Sequence, residues 1–283
     1  MHTEGLDAEG YIAREGSLSR VQPEFTAVVD HARTLIADTF DDTRTHSAYL
    51  YGSIPRGTAT PGTSDLDLLI ALHGEPSDHD QLVADTLASD LDTAFGQING
   101  AGIELASTSK LLSDLERYDL GWFVACLCTP LLDDDLADQL PRYRPTALLA
   151  RETNEDLDQA LQRWRHQRSA ELTDPQYRRL SRTAARKIVR TGLTLVMPLW
   201  GGWTSDLDRS AEIFGHYYPD RAQQMRLVAS IARTPATDST LLDLIIDDLA
   251  VWLATEYQAV HGVKTPRTWT SPTQPRPATD TGQ

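Results

Sequence analysis

The sequence predicts an α/β (α+β) amino-terminal domain with a mixed sheet, followed by an all-α helical-bundle domain. Three observations predict it. Residues 66–72, LDLLIAL, are apolar on both faces apart from Asp67, the pattern of a central strand. The composition changes near residue 130, where PLLDDDLADQLPRYRP turns acidic and then proline-punctuated, as a linker does. Beyond residue 146 the periodic stretches all have helical spacing.

In chain order, residues 1–20 show little periodicity and read as an irregular lead-in. Residues 22–40 place Phe25, Val28, Val29, Ala32, Leu35 and Ile36 on one helical face. Residues 47–51, SAYLY, are short, aromatic and bounded by polar residues, which predicts a strand. The Gly52-Ser53 pair and a loop with two prolines and two more glycines separate it from the 66–72 strand, which His73-Gly74-Glu75-Pro76 then ends. A helix over 78–96 follows, with Leu82, Leu87, Leu91 and Phe95 on one side. Asn99-Gly100 marks a turn before a strand at 102–107. Residues 110–118 read as a short helix and 120–129 as apolar and β-compatible. Helices are expected at about 146–171, 174–199, 205–215, 218–233 and 238–262. The last carries a stripe through Leu242, Ile245, Leu249, Trp252 and Leu253 and ends at a glycine. The domains are therefore 21–130 and 146–263, joined by a 131–145 linker. The 264–283 tail, rich in Pro and Thr, is expected to be disordered. No internal repeat is visible.

Bulk properties narrow the function. No apolar run approaches the roughly 20 residues that span a bilayer, and the polar, acidic start MHTEGLDAEGYIAREG is no signal peptide. The expectation is a soluble, cytoplasmic, two-domain monomer with its cleft between the domains. Cys126 and Cys128 read as small core residues, because a bridge between them would close almost no loop. The formal net charge of -15 repels nucleic acid unless a local basic patch overrides it, and attracts a cationic small molecule.

The most informative stretch is YGSIPRGTATPGTSDLDLLI, residues 51–70. In a strand, residues two apart share a face, so Asp65 and Asp67 present two carboxylates side by side. Buried without partners, each costs several kcal/mol or must take up a proton. A divalent cation removes that cost, and Mg²⁺ prefers one or two carboxylates plus waters and phosphates. Gly52 and Ser53 follow a strand directly, where backbone N–H groups can be aimed at an anion. Gly52 permits close approach, Ser53 adds a hydroxyl, and Arg56 adds a charge. A phosphate cradle and a metal-binding pair on adjacent strands are parts for phosphoryl or nucleotidyl transfer.

Gly52-Ser53, eleven intervening residues, then Asp65-Leu66-Asp67 resembles the nucleotidyltransferase signature of the DNA polymerase beta superfamily. The local text is similar to its small-molecule branch, the aminoglycoside nucleotidyltransferases and minimal nucleotidyltransferases. The resemblance implies that Gly52 and Ser53, with Ser64, hold a nucleoside triphosphate. It implies that Asp65 and Asp67 bind one or two Mg²⁺. A third carboxylate on a later strand completes the family's site as ligand or base. Glu104, centred in GIELAS, takes that place, with Asp114 and Glu116 on the following helix as fallback.

The helical half resembles the carboxy-terminal domain of streptomycin/spectinomycin adenylyltransferases, which closes over the cleft and touches both substrates. The family's turn after its long helix commonly carries a lysine. Here the turn is Trp200-Gly201-Gly202-Trp203-Thr204-Ser205, with none. Arg186, Lys187 and Arg190 on the preceding helix are candidates to meet the triphosphate instead, Arg186 and Arg190 sharing a face at i, i+4. The alternative for them is a solvated basic face, which is also the reading of RWRHQRS at 163–169. Trp200 and Trp203 either stack on a base or sugar or cap the helical core. Asp206 and Asp208 are helix-start residues that can also hold amines of a substrate.

Three functions follow from the residues and the resemblance. One is Mg²⁺-dependent transfer of a nucleoside monophosphate, AMP from ATP, to a hydroxyl of a small molecule such as an aminoglycoside. Another is the same chemistry on a tRNA 3′ end or a protein. The third is non-catalytic nucleotide binding.

Overall fold

A computed structural model describes residues 4–267 apart from 42, 133, 155, 171 and 236. The expected tail beyond 267 lies outside the described residues. The amino-terminal half runs α1 (Pro23–Thr39), β1 (Thr45–Tyr51), the one-turn α2 (Ser53–Arg56), β2 (Leu66–Leu72), α3 (Asp78–Ala94), β3 (Ala101–Ser107), α4 (Thr108–Leu111), α5 (Leu120–Leu127) and β4 (Thr129–Pro130). The sheet order is β3-β2-β1-β4. It is mixed: β2 pairs antiparallel with β1 and parallel with β3, and β4 is antiparallel to β1.

Strand alternation sorts β2. Leu66, Leu68, Ile70 and Leu72 are fully buried and pack with α1 and α3 in one core. Leu69 and Ala71 face the other way, into a smaller core with Tyr49, Ala106, Leu111 and Val124. Asp67 has the parity of that second face. The sheet thus buries one face under α1 and α3 and aims its aspartates toward the helical half.

Residues 120–129 correct a sequence expectation. They are apolar and β-compatible, yet 120–127 form a helix with only Thr129–Pro130 left as strand. The segment lies between the sheet face and the helical core, so it is buried on several sides, and a short run of that kind carries no periodicity to arbitrate. The short helix placed at 110–118 ends at Leu111. Cys126 and Cys128 are buried and unbridged. Burial pushes the Cys126 thiol up to about 12, as befits an inert core residue.

The helical half comprises α6 (Ala147–Asn154), α7 (Leu157–Arg168), α8 (Asp174–Trp200), α9 (Leu207–Tyr217), α10 (Ala222–Arg233), α11 (Ser239–Asp243), a π-helical turn at Leu244–Leu249 and α12 (Ala250–His261). The expected 146–171 helix is two helices. α8 is the axis on which this core is built, from Leu180 to Met197. At Gly192 an added Cβ would lie 2.5 Å from Met225 Cε and 3.3 Å from Phe214, so glycine lets α9 and α10 close onto α8. Gly201, in the left-handed conformation at φ 75°, caps α8 and turns the chain.

The lead-in is irregular but bound to both halves. Ile12 and Glu15 donate backbone N–H bonds to Tyr143 and Cys126, and Glu4 accepts one from Trp203. Residues 264–267 are tied down as well. Lys264 meets Asp119 at 2.8 Å, and Arg267 meets Glu152 at 2.6 Å.

Candidate active site

The loop between β1 and β2 is shaped by Gly52. It adopts φ 85°, a left-handed value that favours glycine, and an added Cβ would sit 2.4 Å from Asp67 Oδ2. Glycine is required twice, for the turn and for letting backbone reach the carboxylate. Ser53 starts the one-turn helix whose leading N–H groups have no intrahelical partner. The rest of the loop is pinned locally. Thr60 N–H donates to Ser64 Oγ at 2.9 Å, and Gly62 N–H donates to Gln97 at 2.7 Å.

Asp65 precedes β2 and accepts a bond from Asn99 Nδ2 at 3.3 Å. Asp67 sits opposite Tyr51 on β1 and Gly102 on β3. Burial first, and the Asp65 charge second, raise the Asp67 carboxyl to about 6, against the opposing pull of Arg186, Arg190 and Arg56. The pair therefore carries an electrostatic cost that the neighbouring arginines do not remove. That is the condition a divalent cation relieves, and the two carboxylates fit Mg²⁺ by donor type.

These groups line one cavity of about 760 Å³. It brings together Gly52, Ser53, Arg56, Ser64, Asp65 and Asp67 from the sheet half with Arg186, Arg190 and Asp206 from the helical half. Arg182, Arg186 and Arg190 lie at i, i+4 and i+8 on α8, one face over about 12 Å. None of the three makes a salt bridge to a described residue. Burial, then repulsion from Arg186 and Arg56, brings Arg190 down to about 10, so it stays charged at neutral pH. Water reaches its side chain through the cavity, yet crowding atoms still desolvate the guanidinium.

Four sequence candidates are not brought into this lining. Glu104 shares the face of Asp67 but sits one rung along, opposite Leu69. Its tip is accessible, while neighbouring atoms still raise its carboxyl. Among the described residues no group of three His, Cys, Asp or Glu side chains is arranged to hold a metal ion. Lys187 points away from the cavity, where its ammonium holds Asp156 at 2.5 Å and Asn154 at 3.2 Å. It lies one residue, about 100°, around α8 from Arg186. Trp203 is buried edge-on against Trp122 at 4.8 Å, and its Nε1 donates to Glu15. Trp200 is part-buried against the helical core. The tryptophans brace the turn.

Sequence reasoning missed the contribution of the lead-in. Arg14, Glu15 and Arg20 line the cavity, as do Thr58 and Arg233, which no sequence signal singled out, and Asp208, which was a candidate alongside Asp206. No periodicity or motif marks the lead-in residues; a Glu and two Arg in an otherwise irregular stretch are the whole signal. The cavity also reverses the sign of the chain's net charge. Its lining holds seven arginines against five carboxylates.

Residues 36–114, which span β1 to β3 and the loop, match the nucleotidyltransferase domain family. No curated protein matches the sequence. Among solved structures, the spectinomycin adenyltransferase AAD(9) from Enterococcus faecialis, crystallised with ATP and spectinomycin, aligns with a TM-score of 0.54. The identity is 12%, and the match covers 82% of this chain and 98% of that one. The chain therefore carries a nucleotidyltransferase domain, the domain of a transferase enzyme, within a fold similar to that of the spectinomycin adenyltransferase.

Proposed function

From that domain as premise, we propose that the chain transfers a nucleoside monophosphate, AMP from ATP, to a hydroxyl of a small molecule. The observation that supports it is convergence. The Gly52-Ser53 turn, the Asp65/Asp67 pair and the unpaired Arg186 and Arg190 come from three elements and meet on one cavity. Each alone has a structural explanation. Together they match a metal-bound triphosphate in charge and donor type.

Asp65 and Asp67 would hold Mg²⁺, which when bound neutralises charge on the α-phosphate and orients the leaving pyrophosphate. Gly52, Ser53 and Ser64 take the triphosphate oxygens, with Arg56, Arg186 and Arg190 as counter-charges. The acceptor oxygen forms the new bond to the α-phosphorus. The bond to the β-phosphate oxygen breaks, and pyrophosphate leaves. The acceptor proton goes to a carboxylate, and Glu104 is the choice. It shares the Asp67 face, and its raised pKa suits a general base. Asp206 reaches the acceptor from the helical half. The acceptor class proposed is a hydroxyl-rich compound bearing amines, an aminoglycoside being the type.

The test is pyrophosphate release with Mg²⁺ and each of four nucleoside triphosphates, against spectinomycin, streptomycin, kanamycin and bulk tRNA. Release with one antibiotic, absent in Asp67→Ala, supports the proposal and names the acceptor. Release with tRNA alone moves the reaction to a nucleic-acid end. Silence with every acceptor, with ATP still bound, removes the antibiotic acceptor from the reading.

A further inference from the structure

Glu15 belongs to the lead-in, outside the 36–114 family match, and it lines the cavity. Its carboxylate is fixed from one side. Oε1 accepts from Trp203 Nε1 at 3.1 Å and from the Ser205 backbone N–H at 2.9 Å. Both donors belong to the turn after α8. Oε2 is buried and makes no hydrogen bond, and the nearest cation is Arg56 Nη1 at 3.8 Å. A doubly anchored carboxylate with one orphaned oxygen beside a guanidinium cannot rotate away without breaking both anchors.

The need for such a group follows from the arginines. Arg56 from the loop and Arg186 and Arg190 from α8 lie close enough to repel one another, and each of the two α8 residues feels Arg56. Asp65 and Asp67 attract them in the free protein, but a metal ion on that pair would cancel the attraction. Among the described residues, Glu15 is the remaining carboxylate that draws on both Arg56 and Arg190.

We propose that Glu15 is a positioning residue for nucleotide binding: its Oε2 holds the Arg56 guanidinium against repulsion from Arg186 and Arg190, so that the three cations stay converged on the phosphates. The proposal rests on the reading that the cavity takes a nucleoside triphosphate. Glu15 acts through Arg56 and does not itself touch the phosphates. It also links the phosphate loop to the 203–205 turn, and through it one half of the protein to the other.

The experiment is calorimetric binding of inorganic tripolyphosphate, and of a non-hydrolysable ATP analogue with Mg²⁺, to the full chain. Four proteins are compared: wild type, Glu15→Gln, Arg56→Gln and the double variant. Gln keeps an oxygen for Trp203 and Ser205 and removes the charge. Glu15→Gln is expected to weaken tripolyphosphate and nucleotide by the same factor, about tenfold for one charge-assisted contact. The double variant is expected to be no weaker than Arg56→Gln. Unchanged affinity in Glu15→Gln, tighter binding as expected of a carboxylate that merely opposes phosphate, or losses that multiply in the double variant would each overturn the proposal. Relaxation of the Arg56 Nε–H in ligand-free wild type gives a readout that needs no variant. A rigid guanidinium supports the proposal, and a freely rotating one sinks it. Wild type that binds no triphosphate removes the nucleotide reading and the proposal together, whereas wild-type binding with an unaffected Glu15→Gln removes the proposal alone.

Discussion

Two faces of α8 carry neighbouring cations with opposite fates. Lys187 turns outward and pairs with Asp156, whose carboxyl it lowers to about 2 although burial works against it. Arg186 and Arg190, one and three residues away, turn into the cavity and pair with nothing described. The same contrast holds between the cavity and the α7 surface, where Arg165 and Arg168 are bonded to Asp243 and Asp247. A cation with its own carboxylate is satisfied and does structural work. Cations that crowd one another without one are a standing cost, of the kind a bound anion relieves.

The largest test of that contrast is at the carboxylates. Asp67→Ala is expected to lower pyrophosphate release by roughly 10³-fold, the scale of losing a principal electrostatic stabiliser. Residual activity within tenfold of wild type would break the site assignment. Next come the cavity arginines. Arg190→Ala is expected to weaken triphosphate affinity by about 10- to 100-fold with no fall in Tm, since it removes an unpaired desolvated charge. A fall in Tm with unchanged affinity would place Arg190 with the structural set.

Asp67 also sets a pH dependence. Its folded pKa is raised, so its favourable contribution is full below about pH 4 and is lost as pH rises through about 6. Asp67→Asn should therefore be more stable than wild type at pH 7, by on the order of 2 kcal/mol after solvent screening, and equal near pH 4. Melting curves from pH 4 to 8 would show a growing gap, and Mg²⁺ should narrow it by stabilising wild type. A flat difference would contradict the assigned shift.

Lys187→Ala is the mirror image. It should cost about 1–2 kcal/mol at neutral pH, by leaving Asp156 unpaired, with nucleotide affinity unchanged. Asp156 has a depressed pKa, so that cost should vanish as pH falls from about 4 toward 2. Smallest of all, Arg165→Ala on the exposed α7 surface should cost under about 1 kcal/mol and leave binding untouched.

The loop was the most legible part of the molecule. Gly52 is demanded by its own φ and by the 2.4 Å approach to Asp67, and Asp67 is conspicuous because β2 is otherwise apolar. Such local incompatibilities show in sequence because they break the pattern of the residues around them. β2 itself was readable to the residue, for the same reason. The 120–127 helix was not, because a short run that is apolar on every side carries no periodicity to distinguish helix from strand. The lead-in was illegible as part of the site. The Glu15 carboxylate has no partner within its own segment, and its proposed role depends on Trp203, Ser205 and Arg56, which lie up to 190 residues away in the chain.

By itself the sequence determined the two-part architecture, the glycine-serine turn, the paired aspartates on one strand face and the arginines at helical spacing on α8. All of these are set by interactions within a few residues, where spacing is geometry. Tertiary structure alone decided which cations face the cavity and which are bound elsewhere. It also decided that the tryptophans brace the turn, that Glu104 stands one rung from the aspartates, and that the cavity is lined with more arginines than carboxylates in a chain of net charge -15. The physical reason is that the electrostatics of a site depend on distances across the fold, which neither composition nor periodicity encodes.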